Sequence, residues 1–425
     1  MKGKLFSSVL AVALVASACG GAEPSPPAAM AMSNLPRAAG EVSPGDMASV
    51  ASGMEAFGTD LYAMLATGDG NLVFSPASIV TALAMTYAGA RGVTAEEMAR
   101  VLHVDLNDEA FHQAMNALDL ALESRSFTEG DEGVQLSTAN SLWGQQGLTF
   151  EQPFLDTLGT DYGSGMRLVD FKAAAEQARV RINEWVASET NDNILDLIPQ
   201  GALDSLTRLV LVNAVYLDAT WEHQFDPNET ADGPFTLLDG SRVNVPMMHQ
   251  TSSFSYGTGD GWQAVQMPYV GDDLAMLVVV PDEGRFTDVE GRLARGLLDD
   301  AVASLFGAQS SVSLTIPRFE FRTQAGLNTA LRDLGMRTAF DRDTADFSGM
   351  TTEETLYISD VVHEAYIAVD EEGTEAAAAT GVVMRTTSAP LEEVRLTIDR
   401  PFIFALRDVP TGALLFLGRV TNPEG

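Results

Sequence analysis

Cysteine is almost missing from this chain: Cys19 is the only one in 425 residues. A single thiol excludes an internal disulfide, so stability has to come from packing. Because Cys19 lies in the leader, a thiol nucleophile within the fold is excluded as well. Basic residues are scarce, with 25 Lys and Arg against 59 Asp and Glu and a net charge of −34. A surface that acidic repels phosphate backbones, which argues against a nucleic acid partner, and it favours basic proteins. Histidine is scarce too, and His103, His112, His223, His249 and His363 are too scattered for metal-ligand spacing. Catalytic signatures are missing: there is no Gly-x-Ser-x-Gly elbow, no His-Glu-x-x-His pair and no phosphate-cradling glycine loop. Asp341, Asp343 and Asp346 loosely follow a calcium loop, but its glycine and terminal glutamate are misplaced. The residues therefore imply no cofactor, no metal and no enzyme.

No apolar run is long enough to span a bilayer as a helix. Lys2 and Lys4 precede a short apolar stretch, Leu5 to Val15, and Ala16-Ser17-Ala18 leads into Cys19. Residues 1–19 read as a targeting segment, which predicts export. The lone cysteine is similar to the lipid-attachment cysteine of bacterial lipoproteins, although Ala16 stands where leucine is usual. Cys19 is therefore the expected membrane anchor, with plain secretion as the alternative. Residues 20–52, rich in Gly, Ala, Pro and Ser, read as a tether, and residues 53–425 as the folded part.

Helical spacing begins with Ala51, Met54, Phe57, Leu61 and Leu65. Ser75-Pro76 has the form of a cap followed by a first-turn proline, opening a helix through Ile79, Leu83 and Met85. Residues 176–188 and the stretch from Asp288 to Phe306 also read as helices. Arg208 to Leu217 is almost continuously apolar, which suits a strand covered on both faces at the centre of a large sheet. Val134–Trp143, Val243–Met248, Phe254–Tyr256, Trp262–Pro268, Leu274–Val280, Ser311–Phe321, Ile358–Val369, Val394–Ile398 and Phe402–Leu406 are further strands. Strands and helices mix without regular alternation, so the class is α+β.

Between two of those strands stands Glu371-Glu372-Gly373-Thr374-Glu375-Ala376-Ala377-Ala378-Ala379-Thr380. By itself this run suits a helix start or a linker. It also suits a segment that slides between other backbones, because its side chains are so small.

Taken together, several motifs in order resemble the serpins, a family of serine protease inhibitors. They are Phe74-Ser75-Pro76, Gly89-Ala90-Arg91-Gly92-Val93-Thr94, Ile182-Asn183-Glu184-Trp185-Val186, Asn213-Ala214-Val215-Tyr216-Leu217 with Trp221, Phe347-Ser348-Gly349-Met350, the Gly373–Ala379 run, and Gly412-Ala413 with Phe416-Leu417-Gly418-Arg419-Val420. The resemblance implies three β-sheets, eight or nine helices, a monomer, and an exposed reactive-centre loop over about residues 371–395. It implies a suicide substrate: a protease cuts the loop, stays on it as an acyl-enzyme, and is trapped when the loop inserts into the main sheet. The hinge would be Glu371, Gly373, Thr374, Glu375, Ala376, Ala377, Ala378 and Ala379. If Thr374 faces inward, Ala376, Ala378 and Thr380 follow at alternate positions and Glu375 stays outside. A dozen or so new ladder bonds at about 1 kcal/mol net each rival a whole domain's stability, so the uncut form must be kinetically trapped.

The resemblance also implies a polar gate beneath the sheet, made of Ser75, Ser78, Asn213 and His363, with Trp185 near the insertion point. Each gate residue taken alone reads as a cap or a satisfied core group. The family's spacing from hinge glycine to scissile bond gives Thr387-Ser388, which suits an elastase-like target. Because the stretch from Gly373 to Pro401 is longer than the family commonly has, Arg385, with a trypsin-like target, and Met384 stay open as alternatives. The competing readings are a non-inhibitory serpin-like binding protein, an inhibitor of a cysteine protease, and an unrelated exported hydrolase.

Overall fold

The apolar stretch after Arg208 runs as one strand, Leu209–Thr220, buried along nearly its whole length. Alternation explains how both faces are covered. Val210, Val212 and Ala214 pack with Ile182 and Val186 of the helix Phe171–Glu189. Leu209, Leu211 and Val215 face the main core, which holds the helix Pro76–Tyr87. That helix is buried on nearly every side, and the Ser75 hydroxyl caps it by accepting from the Ser78 N–H at 3.2 Å. The computed structural model describes residues 28–39, 41–129, 132–305, 309–374 and 394–425.

The fold is mixed α+β, with nine α-helices among the described residues. The main sheet runs in the order Ala29–Ala31, Met166–Val169, Glu132–Gln145, Leu209–Thr220, Gly373–Thr374, Asp360–Val369, Phe319–Gly326. Phe127–Glu129 pairs with Glu132–Gln145 as an eighth strand of this sheet, and the remaining strands form a single hydrogen-bonded network where two smaller sheets are expected. They merge through the 18-residue strand Arg242–Gly259. Its first part pairs with Ala231–Thr236 and Gln309–Pro317, and residues Ser255–Gly259 pair with Trp262–Pro268.

Some boundaries differ from the sequence reading. The helix expected from Asp288 to Phe306 is three pieces, Phe286–Glu290, Leu293–Arg295 and Leu297–Ser304. Gly296, at φ +88°, turns the chain between the last two. The expected strands Val243–Met248 and Phe254–Tyr256 are parts of the same long strand.

The tether expected over 20–52 is corrected in its described part, residues 28–39 and 41–52. Residues 28–39 lie against the body, with Ala29–Ala31 paired to Met166–Val169, and the first helix begins at Pro44 with Ser43 as its cap. Small residues misled the reading here: they pack closely where a facing surface leaves room for them.

Candidate functional site

The strands Leu209–Thr220 and Asp360–Val369 run parallel, and they pair directly only over 210–215 and 360–365. At their far ends Gly373 and Thr374 stand between them, Gly373 opposite Thr220 and Thr374 opposite both Ala219 and Val369. The chain reaches this position through a tight reversal. Asp370 Oδ1 accepts from the N–H groups of Glu372 at 2.9 Å and Gly373 at 3.2 Å. A Cβ on Gly373 would lie 2.0 Å from the Ala219 carbonyl oxygen, so only glycine permits this approach.

Thr374 is buried, and its hydroxyl shares a 2.6 Å hydrogen bond with Tyr269 Oη. Burial pushes the Tyr269 phenol far above its ordinary pKa, so it stays protonated. Trp221 stacks on the Tyr269 ring, with centroids 4.4 Å apart. The Trp221 indole N–H donates to the Asp370 carbonyl at 3.0 Å and its backbone N–H to the Glu372 carbonyl at 2.9 Å. The Glu371 carboxylate is buried and is held by the Thr230 hydroxyl and the Arg318 guanidinium.

Lower down, Asn213 and His363 face each other in register on the paired strands, both fully buried. His363 Nε2 accepts the Ser75 N–H at 3.1 Å, and burial lowers its pKa to about 3, so the ring is neutral. Ser78 Oγ donates to Asn140 Oδ1 at 2.6 Å, and Asn140 lies opposite Asn213 on the other side. Both polar atoms of the Asn213 amide and Nδ1 of His363 make no hydrogen bond among the described residues. The side-chain bonds of this cluster therefore run from helix to sheet. The backbone ladder joins the two strands, with the His363 ring set against the Asn213 backbone. Leaving a buried amide unpaired costs about 1–3 kcal/mol.

A family model described as Serpin (serine protease inhibitor) matches residues 52–423. This chain belongs to the serpin family. It is 42% identical over 378 residues, 88% of this chain and 86% of the relative, to an uncharacterised serpin-like protein of Thermococcus kodakarensis. It is 36% identical over 386 residues to leukocyte elastase inhibitor A of Mus musculus, with 89% of this chain and all of that protein covered. Among solved structures, the native state of the thermophilic serpin tengpin superposes with a TM-score of 0.80 at 26% identity, covering 93% of this chain and all of that one. Serpins are protease inhibitors and not enzymes, and the inhibitory relative supports protease inhibition as the general activity of this serpin.

Of the residues expected to act, Ser75, Ser78, Asn213 and His363 form one cluster. Glu371, Gly373 and Thr374 lie together at the upper end of the sheet. They are buried there, whereas a loop beginning at 371 was expected to be exposed; the strands diverge enough at that end to admit two residues. Glu375, Ala376, Ala377, Ala378, Ala379, Met384, Arg385, Thr387, Ser388 and Cys19 lie outside the described residues.

Trp185 is a correction. It packs edge-on against Trp143 and under the Arg167 guanidinium, 4.4 Å from its ring. Trp143 pairs with Val210, at the end of the sheet away from the hinge. The tryptophan beside Gly373 and Thr374 is Trp221, at the end of the central strand, where it reaches the returning chain at Asp370 and Glu372. Asn140, Thr230, Tyr269 and Arg318 escaped the sequence reading because their partners lie far off in the chain and no local pattern marks them.

Proposed function

We propose that this serpin is a suicide-substrate inhibitor of a serine protease, exported and held by Cys19 or secreted, with the scissile bond at Thr387-Ser388. The observation that carries the reading is the register of Gly373 and Thr374, which already stand as the first two residues of a strand between Leu209–Thr220 and Asp360–Val369. Continuing that register sets Ala376 beside Leu217, Ala378 beside Val215, and Thr380 between Asn213 and His363. The small inward side chains cost little to bury. Thr380 would bring a hydroxyl, both donor and acceptor, to the two residues whose polar atoms lack partners. Insertion would then relieve the penalty at the gate and add ladder bonds on both sides.

The test is a denaturing gel after incubation with elastase-like and trypsin-like serine proteases and with a cysteine protease. The reading expects a covalent band with a serine protease and a released C-terminal peptide beginning at Ser388. A chain that only binds gives no such band, and a peptide beginning after Arg385 moves the bond and the target class.

A further inference from the structure

The edge of the main sheet carries a second place where a strand is accepted, separate from the slot beside Asn213. Its occupant is the segment 28–39. Ala29, Met30 and Ala31 pair antiparallel with Leu168, Arg167 and Met166. Ser33 Oγ donates to Asp156 Oδ1 at 2.5 Å, and the Ala38 N–H donates to the Thr160 carbonyl at 2.8 Å. Arg37 reaches Asn116 Oδ1 at 2.8 Å, Asp119 at 2.5 Å and Glu123 at 2.7 Å, all on the helix Asp108–Glu123. The Asn116 side chain, almost fully buried, returns a bond to the Ala38 carbonyl at 3.1 Å.

The facing surface is shaped for this segment. A Cβ on Gly159 would meet Ser33 at 2.7 Å, one on Gly163 would meet Arg37 at 3.0 Å, and one on Gly165 would meet the Ala31 carbonyl at 2.6 Å. Three missing side chains along one path, with an acidic cluster where the arginine lands, describe a groove fitted to a particular peptide. In a protein of net charge −34, an arginine-bearing strand is also the complementary ligand.

We propose that this groove is a peptide-binding site of the strand-addition type, that its resident ligand is the chain's own segment 28–39, and that the segment is a releasable clamp on the main sheet. The clamp ties the strand Met166–Val169 to the helices Asp108–Glu123 and Gln152–Tyr162. Met166–Val169 pairs with Glu132–Gln145, which pairs with Leu209–Thr220. That block has to move when the slot opens, so the docked segment raises the barrier to opening, and its release lowers it. The statement about opening rests on the insertion reading above; the statement about binding does not.

The test uses the full chain carrying Ala29→Pro, Met30→Pro and Arg37→Ala, and a fluorescent synthetic peptide of residues 28–39. Saturable peptide binding by the variant and none by the parent is expected, because the parent's groove is occupied. A peptide with Arg37→Ala should bind at least about tenfold more weakly. No binding by the variant, with its circular dichroism and urea midpoint showing it folded, overturns the site; so does equal binding by variant and parent. If the variant fails to fold, the single change Arg37→Ala answers the same question through faster proteolysis within 28–39 than in the parent, and unchanged proteolysis overturns the site. The uncut variant should also pass to a heat-resistant form at least about tenfold faster than the parent, and added peptide should slow it again. Peptide binding without a change in that rate overturns the clamp. A failure of the insertion reading would instead show as no heat-resistant form in either chain, even after the loop is cut.

Discussion

Trp221 and Tyr269 stack with ring centroids 4.4 Å apart and planes 11° from parallel, and each holds a different part of the returning hinge. The indole binds the Asp370 carbonyl and the phenol binds the Thr374 hydroxyl. Tyr269→Phe keeps the stack and removes only the second hold. Urea unfolding of the uncut variant should show a loss of about 1–2 kcal/mol, because the Thr374 hydroxyl is left buried without its partner. No loss would mean that Thr374 is not held at the position described.

Thr374→Arg puts a charge where the hydroxyl meets Tyr269. The expected outcome is conversion of inhibitor to substrate: the protease cuts the loop, turns over and leaves no covalent band. Burying an unpaired guanidinium costs several kcal/mol; because Thr374 is already buried in the uncut form, the charge expels the hinge from the slot, and re-entry after cutting carries that cost. Undiminished inhibition by this variant would contradict the insertion mechanism.

Thr380→Val should separate the cut and uncut forms. If Thr380 lands between Asn213 and His363, the cut variant loses about 1–3 kcal/mol relative to the cut parent, while the uncut forms unfold together. Calorimetry of all four samples reads this directly.

Glu371→Lys replaces a buried carboxylate that faces Arg318 with a second cation. A lysine in that buried place, beside the half-exposed Arg318 guanidinium, should cost about 1–3 kcal/mol and free the upper end of the sheet. Faster self-association on mild heating, followed by light scattering, is expected, and Glu371→Lys with Arg318→Glu should recover part of the loss.

His363 gives a pH dependence. The folded ring stays neutral to about 3, against an ordinary value of 6.5, because burial disfavours its charged form. Its contribution is intact above the ordinary value. As pH falls through that window only the unfolded state takes up the proton, so stability drops by up to about 1.4 kcal/mol per pH unit. His112, lowered by burial to about 4, adds a similar slope over a shorter window. His363→Gln should therefore flatten the parent's acid slope without abolishing it, as measured by urea midpoints from neutral pH downward.

The parts of this molecule that the sequence made legible are those with local periodicity. Leu209–Thr220, Leu274–Pro281 and Pro76–Tyr87 announce themselves by runs, alternation or a cap, and all are deeply buried as those patterns require. The gate cluster was reachable only through the order of family motifs, since nothing in the surroundings of Asn213 and His363 places them opposite each other. What stayed hidden depends on partners far off in the chain. Trp185 and Trp221 look alike as sequence, and only the sheet register assigns them to opposite ends. The segment 28–39 has the composition of a spacer, and the glycines that receive it stand more than a hundred residues later.

The pairing of Ala29 with Leu168 has a consequence for how the molecule sits in space. Leu168 lies beside Gly144, and Gly144 beside Leu209, whereas Gly373 lies beside Thr220. At about 3.3 Å per residue those two points are roughly 35 Å apart along one strand direction. The first described strand therefore docks at the pole of the sheet opposite the one where Gly373 and Thr374 stand. A strand that continued from Gly373 and Thr374 along Leu209–Thr220 would run toward the pole where Ala29 is docked.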